Sequence, residues 1–294
     1  MLLLITSSSD GTGHVLIDHL KEKAFRFNYD LFNDYKLELS PNSWTITNPT
    51  GHTISSETVT SCLWWKAFQQ PLKNQDNYVV EEIKYIFREL YSWCKLKKIT
   101  KGNPHDFHNR LGKNSILHIA RDFFKTPQTL ITLNCAGIDV FNQTTVVAKS
   151  LSSAQTDTKA SLLTSEVDIT KLDPKYPWYL QEKLVSDFDV TVFVCDERLF
   201  AYERSRKNLK GLDWRGEQSF DPDSKEWIKM NLSKSEHDSI FQFCKEIDVK
   251  WGRLDFMKVD DELIFLEFNA NGQWLFLNPD NSDEMIDTVI KYLI

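Results

Sequence analysis

Hydrophobic and polar positions alternate along the first hundred residues in patterns that predict both strands and helices. Residues 2–6 are almost wholly apolar and predict a buried first strand, and residues 14–23 predict a helix after the polar turn SSSDGTG. Segments 44–48 and 59–65 predict further strands, and residues 79–97 predict a long amphipathic helix. This part of the chain therefore predicts a small α/β domain.

A polar segment at residues 97–106, KKITKGNPHD, contains Gly and Pro and predicts a domain boundary, which divides the chain into 1–104 and 105–294. Beyond it, the patterns predict helices at 115–124 and 235–247, and strands at 127–132, 145–149, 178–184 and 190–195. The small, polar stretch SLSSAQTDTKAS, which follows residue 149, predicts a mobile loop of the kind that covers a ligand.

The segment RLDFMKVDDELIFLEFN predicts a β-hairpin that turns near residues 260–262. With the turn centred on Asp261, Asp255 and Glu267 are each six residues away and face each other, and Asn269 shares their face. Two facing carboxylates repel each other, so a cation should lie close to them. Carboxylate and amide oxygens suit Mg²⁺, which usually also binds substrate phosphates. The spacing alone leaves two interpretations open, a Mg²⁺ site and a solvated strand face with a tolerated acid pair.

Composition narrows the class of protein. The chain has 294 residues, 41% hydrophobic and 26% charged, which suffices for a sizeable core divided into two or three subdomains. A net charge of −7 argues against a general nucleic-acid-binding surface. The five cysteines form no CxxC pair and predict reduced, mostly buried thiols. No segment is long enough to cross a membrane, so we expect a soluble, cytoplasmic protein with no membrane partner.

Several single features have a structural as well as a functional interpretation. Lys149 at a strand end fits a phosphate contact or an ordinary surface lysine, and residues 179–184, YLQEKL, fit an adenine-binding edge or an exposed strand. His105 and His108 lack a third zinc ligand. The Gly11-x-Gly13 pair lacks the third glycine of a dinucleotide fingerprint, which favours a simple strand-to-helix turn. The sequence contains no GxSxG elbow, Walker A loop or kinase signature set.

Taken in order, the segments resemble the ATP-grasp superfamily. More closely, they resemble the synthetases that macrocyclise ribosomal peptides of the microviridin type, also called graspetide or omega-ester peptide ligases. The resemblance extends over most of the chain, and the segments that carry it are GKNSILHIARDFFKTPQTLIT, VVAKSLSS, TSEVD, YLQEKLVSDFDVTVFV, DWR, LDF and LEFNANGQW. The pattern LExNxxGQW is the most specific of them, and the order of all the motifs is the strong signal.

The resemblance implies an ATP-grasp fold of the α/β (α+β) class. Residues 1–104 would form the pre-ATP-grasp domain, and residues 105–294 the ATP-grasp domain, with a central lid part at about 130–188 and a metal-binding part at 189–294. The implied activity belongs to RiPP biosynthesis: ATP-dependent activation of Glu or Asp side chains of a precursor peptide as acylphosphates, followed by ester or amide crosslinking. The implied partners are that precursor peptide and a second copy in a homodimer or higher homo-oligomer.

Two other functions remain open. One is a ligase of the same fold that joins an amino acid to a peptide, protein or small acid, as ribosomal-protein glutamate ligases do. The other is an inactive nucleotide-binding scaffold or regulator.

The resemblance also implies the cofactors ATP and Mg²⁺ and a role for individual residues. Arg215 would lie near the reacting phosphate and carboxylate, and with Lys149 and Asn269 it would form the catalytic set. The implied contacts are Lys113 and Lys149 with the ATP phosphates, Gln181, Glu182 and Leu184 with adenine, Asp189 with ribose, and Asp255, Glu267 and Asn269 with Mg²⁺.

Two segments depart from the family pattern. The ribose segment usually reads Asp-apolar-Arg, whereas here Thr191 stands at the arginine position. An arginine there would contact a substrate carboxylate or support the site. The N-terminal domain usually carries a Trp-Tyr-Arg-Arg type segment, where this chain has WWKAF at residues 64–68. We expect peptide recognition to differ from that of the better-known members.

Overall fold

The computed structural model describes residues 1–72, 75–152, 164–209, 211–212 and 227–294. The strands are β1 Leu2–Thr6, β2 Ala24–Asn28, β3 Lys36–Leu39, β4 Trp44–Thr47, β5 Thr53–Ser55, β6 Ser61–Trp64, β7 Thr100–Lys101, β8 Thr129–Thr132, β9 Val146–Lys149, β10 Ser165–Val167, β11 Trp178–Glu182, β12 Phe188–Cys195, β13 Arg198–Ser205, β14 Ile228–Lys229, β15 Trp251–Val259 and β16 Glu262–Asn269. The helices are α1 Gly11–Leu20, α2 Asn77–Leu96, α3 Phe107–Arg110, α4 Lys113–Ala120, α5 Lys234–Glu246 and α6 Met285–Leu293.

The strands of the described ranges form four sheets. A parallel sheet has the order β2-β1-β6-β7. The strands β3, β4 and β5, which lie between β2 and β6 in the sequence, form a small antiparallel sheet of their own. An antiparallel sheet of order β10-β9-β11-β8 follows, and the largest sheet, also antiparallel, has the order β14-β13-β12-β15-β16. This mixture of parallel and antiparallel sheets with helices confirms the predicted α/β (α+β) class.

The parallel sheet is built around β1, which is buried on both faces. Leu2 and Leu4 point into a core formed with α1 and α6, and Leu3 and Ile5 point into a second core formed with α2. A strand covered on both sides needs apolar residues at every position, because successive side chains alternate between the faces. This is why the unbroken apolar run at the start of the chain forms a strand.

The five-stranded sheet also has two covered faces. Val190, Val192 and Leu254 pack with α4 and α5 on one face. On the other face, Phe193 and Trp251 belong to the same core as α1 and α6 of the N-terminal part. The N-terminal and C-terminal halves of the chain therefore share one hydrophobic core.

Two predicted helices differ from the observed ones at their ends. The first begins at Gly11, three residues earlier than predicted, because the Asp10 carboxylate accepts a hydrogen bond from the Gly13 N–H at 2.5 Å and caps the helix. It ends at Leu20, since Lys21 takes a positive φ of 48°. The helix predicted at 115–124 covers Lys113–Ala120, and the apolar pattern continues in turns whose aromatic side chains pack on α5.

The strands predicted near residues 44, 59, 127, 145, 178 and 190 and the helix predicted at 235–247 are confirmed with small shifts at their ends. The patterns missed several elements, namely β2, β3, β5, β7, β10, β13, β14, α3 and α6. The stretch SLSSAQTDTKAS lies outside the described residues from residue 153 onward, so the predicted mobile loop stays a prediction. The domain division at 104/105 also stays a prediction.

All five cysteines lie in the described part of the chain and are free, and four of them are buried, as predicted. Among the described residues, no helix has both the length and the apolar character needed to cross a membrane.

Trp274 is the best single test of the shared core. Its side chain is fully buried and stacks on Phe193 with ring centroids 5.4 Å apart. We expect Trp274→Ala to lower the free energy of unfolding by about 3–5 kcal/mol, since a large buried aromatic group is lost and a cavity remains. Urea unfolding measures this change.

Tyr176→Ala serves as the matched control, because Tyr176 is 61% exposed. The control should change stability by less than about 0.5 kcal/mol. Equal effects of the two substitutions would contradict a shared core anchored by Trp274.

Candidate functional site

The hairpin of β15 and β16 brings two carboxylates face to face through a β-bulge. Its two turn residues, Asp260 and Asp261, have φ of 49° and 64°, as a tight two-residue turn requires. From this turn to the pair Phe256–Phe265 the register is regular, and its continuation would place Asp255 opposite Leu266. The extra residue in β16 shifts the register by one, so that Asp255 faces Glu267. The predicted pairing is confirmed.

Asn269 lies between the two carboxylates. Its amide Nδ2 donates to Asp255 Oδ2 at 2.6 Å and to Glu267 Oε1 at 3.1 Å. The oxygens of the two acids thus converge on one point, where a cation would lie if the amide turned its oxygen inward. Two carboxylates and an amide oxygen form a donor set that suits Mg²⁺. The predicted metal ligands therefore fit this ion.

Asp255 is held in place by its neighbours. Thr191 Oγ1 donates to Asp255 Oδ1 at 2.8 Å, while Arg253 lies with Nε 3.0 Å from Oδ1 and Nη2 3.1 Å from Oδ2. Because Arg253 precedes Asp255 by two residues on one strand, both side chains emerge on the same face of the sheet. The sequence interpretation missed this arginine, although the alternation of RLDF carries the signal.

The two predicted phosphate lysines come from separate elements. Lys113, the first residue of α4, donates from Nζ to the Ser150 carbonyl at 3.2 Å and lies 3.7 Å from Glu267 Oε2. Lys149, the last residue of β9, donates from Nζ to Gln181 Oε1 at 2.6 Å. One lysine thus approaches the acid pair directly, and the other lies beside the predicted adenine segment.

An open cleft runs between the antiparallel four-stranded sheet and the five-stranded sheet, and its empty space together with the open solvent at its mouth is about 830 Å³. Apolar side chains such as Val147, Met257 and Leu266 form part of its wall. The lining includes most of the predicted site residues, namely Lys149, Gln181, Glu182, Leu184, Asp189, Asp255 and Glu267. Lys113 and Asn269 join this group through Glu267, whereas Arg215 lies outside the described residues.

Asp189, the predicted ribose contact, forms an ion pair within the cleft. Its Oδ1 accepts from Arg206 Nη1 at 2.5 Å, and both side chains are largely buried. Burial raises the pKa of Asp189, and the Arg206 guanidinium opposes that shift. The sequence interpretation did not predict a role for Arg206, because this residue comes close to Asp189 only when β12 pairs with β13.

The Gly-Gln-Trp turn after β16 connects the acid pair to the N-terminal part. A Cβ at Gly272 would lie 3.0 Å from the Cβ atoms of Arg253 and Asn269, so glycine lets the turn pass close over them. The Gln273 carbonyl accepts from Arg253 Nη1 at 2.9 Å, and its side-chain Oε1 accepts from Thr12 Oγ1 on α1 at 2.8 Å. With Trp274 in the shared core, the turn fixes the position of Arg253.

His105 and its neighbour Asp106, which were considered with His108 for zinc, have other contacts. The His105 ring stacks on Trp64 with centroids 4.6 Å apart, and Asp106 pairs with Arg110 at 2.5 Å. Within the described ranges, no group of three or more His, Cys, Asp or Glu side chains forms a metal cluster.

Lys66 is a third cation of this region that was not predicted. Burial lowers the pKa of its ammonium to about 8, Asp10 opposes the shift, and the positive charge of Arg253 adds to it. The folded state therefore binds this proton less tightly than the unfolded chain does. The buried ammonium charge of Lys66 therefore destabilises the folded state. This destabilisation is fully present below about pH 8, and it disappears as the pH rises toward the ordinary lysine pKa of 10.5.

We therefore expect Lys66→Met to raise the free energy of unfolding by about 1–2 kcal/mol at pH 7, and by less as the pH approaches 10. Urea unfolding at both pH values measures the difference. Lys171→Met is the control, because the Lys171 side chain is 81% exposed, and it should show no such pH-dependent gain. A gain for Lys66→Met that stayed constant between the two pH values would contradict this account.

The fold is similar to that of several solved ligases. A RiPP-associated ATP-grasp ligase from Chryseobacterium gregarium, in complex with ADP and a leader and core peptide, has a TM-score of 0.82 at 21% identity, covering 99% of this chain and 96% of that chain. The macrocyclase MdnC from Microcystis aeruginosa MRC, bound with precursor peptide MdnA, has a TM-score of 0.80 at 19% identity, covering 100% and 99%. The D-alanine–D-alanine ligase from Bacillus anthracis, complexed with ATP, has a TM-score of 0.54 at 13% identity, covering 100% and 95%.

No protein-family profile matches the sequence, and no curated protein sequence does. The similarity in structure extends over the whole chain, and the chain has the ATP-grasp fold that its sequence motifs predict.

Proposed function

We propose that this chain is an ATP- and Mg²⁺-dependent ligase that crosslinks side chains of a ribosomal precursor peptide. The observation that carries the proposal is the facing pair Asp255 and Glu267, which lies close to Asn269 and Lys113 and lines a cleft that Lys149 also lines. Two acids paired in this way suit a divalent cation, and the lysines suit the phosphates that such a cation accompanies.

The reaction has two steps. A Glu or Asp carboxylate of the peptide attacks the γ-phosphorus of ATP, the bond from that phosphorus to the bridging oxygen breaks, and ADP leaves. A hydroxyl or amine of the same peptide then attacks the acyl carbon, phosphate leaves with the carboxyl oxygen, and the nucleophile loses its proton. The products are an ester or an amide, ADP and phosphate.

The residues of this chain would position the reacting groups and neutralise the phosphate charge, and none of them would form a covalent intermediate. Lys113 and Lys149 would hold the phosphates, while Asp255, Glu267 and Asn269 would hold Mg²⁺, which shields the phosphate charge during transfer. Arg215 would lie near the reacting groups. The apolar wall of the cleft and the segment Gln181, Glu182 and Leu184 would hold the adenine, with Asp189 on the ribose.

The peptide as substrate is supported by two structural relatives. The Chryseobacterium gregarium ligase is in complex with a leader and core peptide, and MdnC is bound with a precursor peptide. Both are similar to this chain over nearly its whole length, so a peptide site of similar placement fits the present fold. The D-alanine–D-alanine ligase, with a TM-score of 0.54, is less similar.

The metal site generates a direct prediction. We expect Asp255→Asn or Glu267→Gln to reduce crosslinking turnover about 100-fold or more, because the charge that neutralises the cation is lost. Folding should persist, since both replacements keep the shape of the side chain. Calorimetric titration of ATP with and without Mg²⁺ should show that the variants lose the Mg²⁺-dependent part of the affinity.

Asp261→Asn is the matched control, because the Asp261 side chain lies in the same hairpin but is 96% exposed. This variant should behave as the parent does. Full ATP turnover by either site variant would remove the metal assignment.

Mass spectrometry tests the proposed reaction itself. The enzyme is incubated with ATP, Mg²⁺ and candidate peptides rich in Thr and Glu or Asp that are encoded beside its gene. Crosslinking lowers the peptide mass by about 18 Da for each bond, since each acyl transfer releases one water overall. A gain equal to one amino-acid residue would instead support a ligase that adds amino acids. Unchanged peptide with no ADP formed would support an inactive scaffold.

A further inference from the structure

The sheet places two positions where an arginine side chain can reach the same point. Thr191 on β12 is paired with Asp255 on β15, and Arg253 precedes Asp255 by two residues, so all three share one face. Thr191 is buried, and its hydroxyl donates a hydrogen bond to Asp255 Oδ1 at 2.8 Å. Arg253 contacts both oxygens of the same carboxylate. An arginine at 191 would thus reach the region that the guanidinium of Arg253 already fills.

Arg253 is rigidly held and still borders the cleft. Its side chain is 11% exposed, its guanidinium lies 5.7 Å from the Phe276 ring centroid, and Nη1 donates to the Gln273 carbonyl at 2.9 Å. A guanidinium has five N–H donors, more than these contacts use. The residue also lines the cleft beside Asp255 and Glu267. A planar, pre-oriented fork of donors suits a carboxylate better than a flexible lysine does.

The charges around Arg253 favour a further anion. A divalent cation bound between Asp255 and Glu267 would take up much of the negative charge that Arg253 now faces. Lys66 lies close enough that the positive charge of Arg253 lowers its pKa, so two partly buried cations act on each other here. An added carboxylate would stabilise both.

We propose that Arg253 binds the peptide carboxylate that is to be activated, and so takes the role of the arginine that the resembled family carries at position 191. This inference rests on the proposed function. It makes Arg253 a substrate-binding residue as well as a support for Asp255. The two roles use different donors of one guanidinium, and they predict different losses when the arginine is removed.

The test measures peptide binding without turnover, in the presence of ADP and Mg²⁺. The probes are the peptide that the mass-spectrometric assay shows to be crosslinked and its analogue with the reacting Glu replaced by Gln. The parent enzyme should bind the Glu peptide about 10- to 100-fold more tightly than the Gln peptide, the usual range for a hydrogen bond to a charged group. Arg253→Ala should bind both peptides equally. If that variant does not fold, Arg253→Gln takes its place.

A double variant distinguishes the two roles of Arg253, substrate binding and support of Asp255. Adding Thr191→Arg to Arg253→Ala should restore at least about tenfold discrimination between the peptides, since the guanidinium returns from the neighbouring strand. Affinity for ADP and Mg²⁺, measured by calorimetry, should change much less than peptide discrimination in Arg253→Ala.

Two results overturn the inference. If Arg253→Ala still prefers the Glu peptide but binds ADP and Mg²⁺ poorly, Arg253 only positions Asp255. If the parent enzyme modifies no peptide, the proposed function and this inference fail together. In the first case the parent enzyme still crosslinks the peptide, so the two failures are distinguishable.

Discussion

The repulsion between the facing carboxylates Asp255 and Glu267 is the constraint on which the rest of the site depends. Opposed acids on neighbouring strands destabilise a sheet unless positive charge or donors lie close. Here positive charge and donors come from four elements: Arg253 on β15, Thr191 on β12, Asn269 on β16 and Lys113 at the start of α4. The sheet thus holds two negative charges close together beside a cleft. Such a concentration of negative charge favours the binding of a cation.

The position of that charge depends on the core shared by the two halves of the chain. Trp274 and Phe193 pack with α1 and α6, and Gln273 joins the turn to Thr12 at the start of α1. A turn held at both ends keeps Arg253 in contact with Asp255. Packing far from the cleft therefore contributes directly to the geometry within it.

Strand and helix periodicity predicted many of the helices and strands, the resemblance to a known family implied the fold, and spacing predicted the acid pair. The elements with unbroken or alternating apolar patterns, such as the first strand and the final hairpin, were predicted well because the buried faces repeat locally. The sequence interpretation missed Arg206 and Lys66, whose neighbours come from distant segments. The pairing of Asp255 with Glu267 was predicted from a turn centred on Asp261, yet the turn is centred half a residue earlier and the bulge at Leu266 restores the register. Periodicity alone does not reveal such a compensation.

The bulge makes the site sensitive to the number of residues in the hairpin more than to their identity. Most apolar residues between Asp255 and Glu267 can be exchanged for others of similar size without moving either acid. A single-residue insertion or deletion at the turn would instead send one of the acids to the opposite face of the sheet. We therefore expect related sequences to differ in this hairpin by substitutions, or by an insertion in one strand that is matched by an insertion in the other.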